Sequence, residues 1–411
     1  MTAVSQSPRA GYGAAFRVRE FRAVFAAHLL SVLGLVVAEI SLTVLVFRLT
    51  GSPLMSALTF ALGFLPHVLG GTLLAGVADR VPARRVLVVC DLLCAACATA
   101  MVLPGTPVAA LLVLRCAMAF VAPLFQGTRN ASLADVLGRG QAYVLGRSLL
   151  RMVAQSAQLA GFGIGGVLLT VLAPRAALGV TAGTFLASAA LLRFGTRSRP
   201  ARADGDRRSP LAGARAVLGD RRMRALTLMF WVPAVFTIAP EALMAPYAAG
   251  IGSGTVALGL LMCALPVGTI AGELWAGSAL GAAARSRIVR PLAAASLLPL
   301  LAYAVRPGVV PLLAALLLAG LAHAYTLGLD QWYVDAVPEE LRGRAMTLLS
   351  TGLMTLQGVG MALAGLAAEF FAVHTVVTGA ALLGTACVLL LLRELRATEE
   401  RDGADQHMTG R

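Results

Sequence analysis

The sequence has no lysine: all 34 of its basic residues are arginine. It therefore has no P-loop lysine to reach a nucleotide's phosphates, which argues against an ATP-driven pump. Charge of any kind is scarce. Asp, Glu, Lys and Arg make up 13% of the 411 residues, against about 25% in a soluble domain, and this deficit runs the length of the chain. Only six cysteines are present, all in apolar runs. Cys90, Cys94 and Cys97 recur on one helix face without a polar surround, so they read as small packing residues rather than a metal site or a disulfide framework. No nucleophile stands beside a base in a recognisable context. The composition thus points away from soluble enzymes, metalloproteins and ATPases, and no cofactor is implied.

What the sequence does have is greasy length. Hydrophobic residues make up 58% of it and mean hydropathy is +0.81. Apolar runs of the length needed to cross about 30 Å of hydrocarbon recur along it. Twelve are read, at roughly 23–47, 54–78, 86–104, 108–128, 143–172, 175–195, 225–249, 255–281, 288–305, 308–335, 346–371 and 373–393. They do not alternate as barrel strands would. Backbone in lipid must satisfy its own hydrogen bonds, so they are expected to be helices, and the many Gly and Ala residues suit close helix packing. The first 20 residues are polar and basic, without a cleavable signal pattern.

The net charge of +14 follows one side of these runs. With both termini cytoplasmic, only Arg48, Arg175 and Arg306 fall at outer loops, and Arg115 falls inside a helix. The remaining arginines lie in the tails and inner loops. This asymmetry sets the orientation and anchors the chain to the inner leaflet's lipids. It is not read as a nucleic-acid surface. The chain is expected to be a multi-pass protein of the cell membrane, and a monomer.

The sequence also repeats at an offset of 200 residues. Leu65-Pro66 meets Leu265-Pro266, Glu20-Phe21-Arg22 meets Asp220-Arg221-Arg222, and Asp135 meets Asp335. Parallel repeats of six helices imply two pseudo-symmetric bundles. The expected organisation is an N-terminal tail over 1–22, a six-helix bundle over 23–195, a cytoplasmic linker over 196–222, a second bundle over 223–393 and a cytoplasmic tail over 394–411.

The loop GVADRVPARR, residues 76–85, resembles the motif between helices 2 and 3 of the major facilitator superfamily at Asp79, Arg80, Arg84 and Arg85. Gly76 stands one residue closer to Asp79 than the pattern has it, and Pro82 replaces a small residue. AVPEELRGRAM, 336–346, resembles the loop between helices 10 and 11 in the branch that holds enterobactin exporters and macrolide efflux proteins. RNASLADVLGRGQA, 129–142, is similar to the matching first-half loop. AGFGIGG, 160–166, stands where superfamily antiporters carry glycines in helix 5, here Gly161, Gly163, Gly165 and Gly166, with Phe162 in place of their Pro. RCAMA, 115–119, resembles a helix 4 motif that opens on an intramembrane Arg. The resemblance implies an all-α membrane fold of twelve transmembrane helices in two six-helix bundles. It implies a secondary transporter working by alternating access, without a cofactor, on a small-molecule substrate and protons. Asp79 and its arginines would latch the halves together, and Asp135, Asp335, Glu339, Arg342 and Arg344 would serve as conformational loops. The second-half counterpart of the latch, residues 277–287, has Ala279 where the first has Asp79.

Ionisable groups inside lipid cost at least about 2.5–3.5 kcal/mol each, so each needs a reason. Glu39 and Arg115, in the first and fourth spans, and Glu241, in the seventh, fall within about 10–15 Å of the outer face at 1.5 Å per residue. Glu39 and Arg115 read either as a proton-coupling pair or as a static ion pair. Glu241 follows Pro240 in a proline-rich segment, and His323 in the tenth span is a further cavity candidate. His67, Asp91 and Glu273 read chiefly as packing or structural groups, Gln155 and Gln158 equally as polar wall or interhelical glue, Asp330 as either functional or structural, and Trp231, Trp275, Trp332 and Tyr333 as interfacial anchors. Export of a small hydrophobic or amphipathic molecule (a drug, siderophore or secondary metabolite) is the leading expectation. Uptake by proton symport, or a transport-inactive sensor or assembly partner, is the alternative.

Overall fold

A computed structural model describes residues 16–74, 80–137, 141–197, 199 and 217–409. Among them there are helices and no strands. In chain order they are α1 (Arg19–Thr50), α2 (Pro53–Ala61), α3 (Pro66–Leu73), α4 (Ala83–Val102), α5 (Val108–Leu137), α6 (Gln141–Val171), α7 (Pro174–Gly195) and α8 (Arg221–Ala242). Then follow α9 (Met244–Gly250), α10 (Thr255–Ala279), α11 (Ala282–Ala295), a 3-10 segment (Leu298–Val305), α12 (Val309–Ala322), α13 (Tyr325–Ala336), α14 (Glu339–Phe370) and α15 (Val373–Thr409).

Ten described helical stretches are long and apolar enough to cross a membrane. The second and fifth spans account for the difference from the twelve apolar runs. The second is split into α2 and α3, of nine and eight residues. The fifth is α6, of which Ser156–Val171 is the apolar stretch among the fully described residues. The large apolar side chains left exposed, such as Val113, Leu274, Leu363 and Leu390, would be a liability in water and are the ordinary surface of a protein in lipid.

The breaks have local causes. Pro66 opens α3 where it has no N–H to give. Pro233 and Pro240 lie inside α8, which ends at Leu243 before α9 resumes. At the α12–α13 junction the amides of His323, Ala324 and Thr326 bond back three residues, to Gly320, Leu321 and His323, at 2.9, 3.2 and 2.9 Å. These tighter turns keep the backbone satisfied where the helix is interrupted, as lipid requires.

The chain divides into two compact units. The first comprises Met1–Ser41, Leu69–Gly165 and Leu172–Gly205; the second comprises Leu42–Val68, Gly166–Val171 and Asp206–Arg411. In the first, Thr181 Oγ1 donates to the Gly34 carbonyl at 3.0 Å, tying α7 to α1. Gly70 lies so close to the Phe120 carbonyl that a Cβ there would overlap it. At the start of α1, Phe16, Phe21 and Phe25 meet edge-on or tilted, and Phe21 is buried with Leu133 and Leu150. Glu20 accepts both guanidinium nitrogens of Arg199, at 2.6 and 2.8 Å, and the Arg197 amide at 2.9 Å, which pins the beginning of the linker to α1.

In the second unit, Gly268 and Gly272, four residues apart on α10, face the carbonyls of Leu317 and Leu321, while Gly320 on α12 faces that of Leu265. Small residues at this spacing let helix backbones meet. Trp231 and Trp332 differ from the interfacial expectation. The Trp231 indole is buried against Gly352 and donates to the Leu349 carbonyl at 2.9 Å. Trp332 donates to Ser286 Oγ at 2.7 Å, and the Arg290 guanidinium lies over its ring. Tyr333 is fully buried, edge-on to Phe230. Each ring found an internal hydrogen bond or a ring partner, so none needs the headgroup region. Trp275 remains exposed.

Candidate functional site

Glu39 lies on α1 and Arg115 on α5, both in the first unit. Arg115 Nη2 donates to Glu39 Oε1 at 2.8 Å, with side-chain exposures of 6% and 15%. The guanidinium's Nε is buried and makes no hydrogen bond among the described residues. Two charges held this far from water need one another. Arg keeps its charge at any cellular pH, whereas a carboxylate can take a proton. The pair therefore has two charge states: one balanced, and one carrying a net positive charge when Glu39 is protonated.

A second polar cluster lies in the same unit around Asp91, whose partners the sequence did not indicate. Asp91, on α4, is 2% exposed. Ser188 donates to its Oδ2 at 2.5 Å, and Ser31 Oγ lies 3.1 Å from Oδ1 and 2.9 Å from Ser188 Oγ. Beside it, Arg129 Nη1 donates to His28 Nδ1 at 2.5 Å, and His28 Nε2 meets the Leu150 carbonyl at 3.2 Å. Arg129 also interacts electrostatically with Asp91, and its guanidinium stands over the Phe125 ring. His28, Ser31, Asp91, Arg129 and Ser188 come from α1, α4, α5 and α7. His28 and Ser31 share one face of α1, and only the fold brings Asp91, Arg129 and Ser188 to them.

The other anticipated residues are placed as follows. Glu241 is half-buried near the end of α8. His323 caps the C-terminus of α12, with Nδ1 2.9 Å from the Ala319 carbonyl and its ring 6.0 Å from that of Tyr325. Both belong to the second unit. Asp79 lies outside the described residues. Arg80 and Arg85 are exposed, and Arg84 Nη1 donates to the Thr196 carbonyl at 3.2 Å, joining α4 to the end of α7. Asp335 is exposed near the end of α13. Asp135 lies on α5, and Glu339, Arg342 and Arg344 lie on the first turns of α14; their side chains are outside what is described. Gly161 and Gly165 meet Val36 and Ile40 of α1 with no room for a Cβ, Gly166 meets Thr255 and Gly259, and Gly163 faces open space.

The family model described as transmembrane secretion effector matches residues 10–410. Among solved structures, the nucleoside transporter NupG is 16% identical with a TM-score of 0.68, covering 91% of this chain and 98% of its own. A bacterial homolog of the human lysosomal transporter Spinster, inward-facing and occupied, is 15% identical with a TM-score of 0.67, covering 93% and 96%. A POT family transporter in complex with a thioalcohol-conjugated peptide is 11% identical with a TM-score of 0.66, covering 91% and 95%. At these identities the likeness establishes the fold. Among curated proteins, none matches the sequence.

Proposed function

This chain belongs to the transmembrane secretion effector family of the major facilitator superfamily, and from that premise we propose that it is a proton-coupled exporter of a small hydrophobic or amphipathic molecule. Its fold is the twelve-helix major facilitator fold, all-α and integral to a membrane; it is a membrane transporter and not an enzyme. The finer reading is export by alternating access between two six-helix halves, driven by inward proton flow across the cell membrane, with both termini and the linker cytoplasmic.

The observation that carries it is the Arg115–Glu39 pair, held at 2.8 Å in the apolar interior of the first unit. In the proposed cycle, Glu39 is ionised and paired in one state. A proton arriving from outside neutralises it, the pair loosens, and the halves rock. Arg115 stays charged and is the group that senses the change. Glu241, in the second half, holds a second proton or a cationic substrate, and His323 is the next candidate for the proton. The predominantly aliphatic spans favour a bulky, partly apolar substrate over a sugar or phosphate ester. By its resemblance to the superfamily loop motif, Asp79 with Arg80, Arg84 and Arg85 is assigned the latch on the cytoplasmic side. The resemblance of AVPEELRGRAM, 336–346, supports the siderophore and macrolide exporter branch.

The test is comparative profiling of small molecules inside and outside cells with and without the gene, followed by transport of the accumulated compound in inverted vesicles. Accumulation inside the deletion strain, together with proton-gradient-dependent uptake into inverted vesicles, is expected. Depletion inside the deletion strain would favour import and overturn the direction.

A further inference from the structure

A carboxylate near the end of α14 caps a helix more than 300 residues away. Glu369 Oε1 accepts the backbone N–H of Leu54 at 3.0 Å and the hydroxyl of Ser52. Ser52 is the N-cap of α2, and its Oγ in turn accepts the Met55 amide at 3.1 Å. A capping box ordinarily takes its acid from the third residue of the same helix. Here that residue is Met55, which has no such group, and Pro53 has no N–H. The open amides of Leu54 and Met55 are therefore satisfied by a serine from the helix and an acid from α14. The negative charge also sits at the positive end of the α2 dipole.

Beneath this cap the α2–α14 seam is flush. A Cβ at Gly365 would run into Ala57 and press on Leu54, and one at Gly358 would come within 2.8 Å of Leu65 Cγ. A second seam is built the same way. Gly166 of α6 lies where a Cβ would stand 2.8 Å from the Thr255 carbonyl and 2.9 Å from the Gly259 Cα of α10. All of these residues lie in the second unit. By the sequence repeat, however, α2 and α6 belong to the first half of the chain and α14 and α10 to the second. Both seams adjoin the loops assigned to the outer face.

Helices that meet through glycine pack backbone to backbone, so the seam either closes fully or parts as a unit. A single charged tie can then decide how often such a seam opens. We propose that Glu369 is the latch of the outer gate, and that releasing it from Ser52 and Leu54 parts the α2–α14 and α6–α10 seams together. This rests on the alternating-access reading, in which contacts between the two sequence halves must break once per cycle.

The experiment uses a membrane-impermeant maleimide on intact cells, with the parent chain and its six native cysteines as background. Ala57→Cys reports the first seam and Leu258→Cys the second. Ala57 is fully buried, and Leu258 is 4% exposed on the helix face of Thr255 and Gly259. In Glu369→Ala, both sites are expected to label up to about fivefold faster, the effect of losing two solvent-exposed hydrogen bonds to a carboxylate. Glu369→Gln, which keeps the shape and a weaker acceptor, should accelerate both by less, and it carries the test if the alanine variant folds poorly. Acceleration at Ala57→Cys alone would make Glu369 a helix cap and overturn the latch, as would no acceleration at either site. Acceleration of both sites only in inside-out membranes would keep the latch and overturn the membrane orientation of the proposed function.

Discussion

Asp91 and Ser188 lie 2.5 Å apart, carboxylate to hydroxyl, between α4 and α7 and almost wholly out of solvent. With Ser31, His28 and Arg129 they form a buried polar cluster that spans four helices of the first unit. Asp91→Asn keeps the shape and loses the charge that attracts Arg129. Hydrogen bonds to charged groups are worth about 1.5–3 kcal/mol, so a loss of that order is expected. Asp91→Ala removes the acceptor entirely and leaves Arg129 buried beside no acid; breaking a buried pair costs about 3–5 kcal/mol. Thermal unfolding of purified protein in detergent checks the order wild type, Asn, Ala. An unchanged midpoint in Asp91→Ala would mean that the cluster does not hold these helices together.

Glycine contacts give a contrast within a single family of substitutions. Gly70→Ala drives a methyl into the Phe120 carbonyl, which is backbone and cannot swing aside. Overpacking of this kind costs about 1–3 kcal/mol. Gly163→Ala, on α6, adds a methyl into open space and relieves the entropic cost of a helical glycine, a gain of about 0.5–1 kcal/mol. The two variants should move the unfolding midpoint in opposite directions, measured side by side in the same detergent.

The spans and the two-half repeat were legible because hydrocarbon thickness fixes helix length and twofold duplication fixes register. The Glu39–Arg115 contact was legible for a similar reason: two rare charges at one depth have few other places to go. The Asp91 cluster was not. Ser31, Asp91, Arg129 and Ser188 are far apart in sequence, and a serine in a membrane helix carries no period or spacing that announces its partner. Glu369 was equally silent, because a cap supplied from α14 leaves no signature next to Ser52. Trp231 and Trp332 misled for the converse reason. Aromatic residues at span ends usually anchor to headgroups, but here a Leu349 carbonyl and a Ser286 hydroxyl take the indole protons.

The orientation proposed from the arginine asymmetry is tested by accessibility. Cysteine at Gly308, exposed at the start of α12, should react with an impermeant maleimide in intact cells, whereas cysteine at Arg287, exposed on α11, should react only after permeabilisation. The reverse pattern would turn the chain over in the membrane and with it the direction of export.

The strongest test of coupling is the buried pair itself. Glu39→Gln imitates the protonated carboxyl: the side chain keeps its size, still accepts from Arg115, and cannot gain or lose a proton. Folding should survive, because a neutral acceptor remains 2.8 Å from the guanidinium in place of the carboxylate. Arg115→Ala is the harsher change. It strands a buried carboxylate and removes the packing of a long side chain, so a loss of about 3–5 kcal/mol and poor membrane yield are expected. The transport readout separates binding from coupling. Proteoliposomes holding Glu39→Gln should exchange the exported compound down its own gradient at near wild-type rates. With a pH gradient imposed and no substrate gradient, the wild type should accumulate the compound and Glu39→Gln should not. The pH dependence of exchange should also flatten in the variant, since the group proposed to titrate is gone. A merely structural pair would lower all of these activities together with the amount of folded protein. Uphill, pH-dependent transport by Glu39→Gln would move the proton site elsewhere, with Glu241→Gln and His323→Ala as the next variants to put through the same assay.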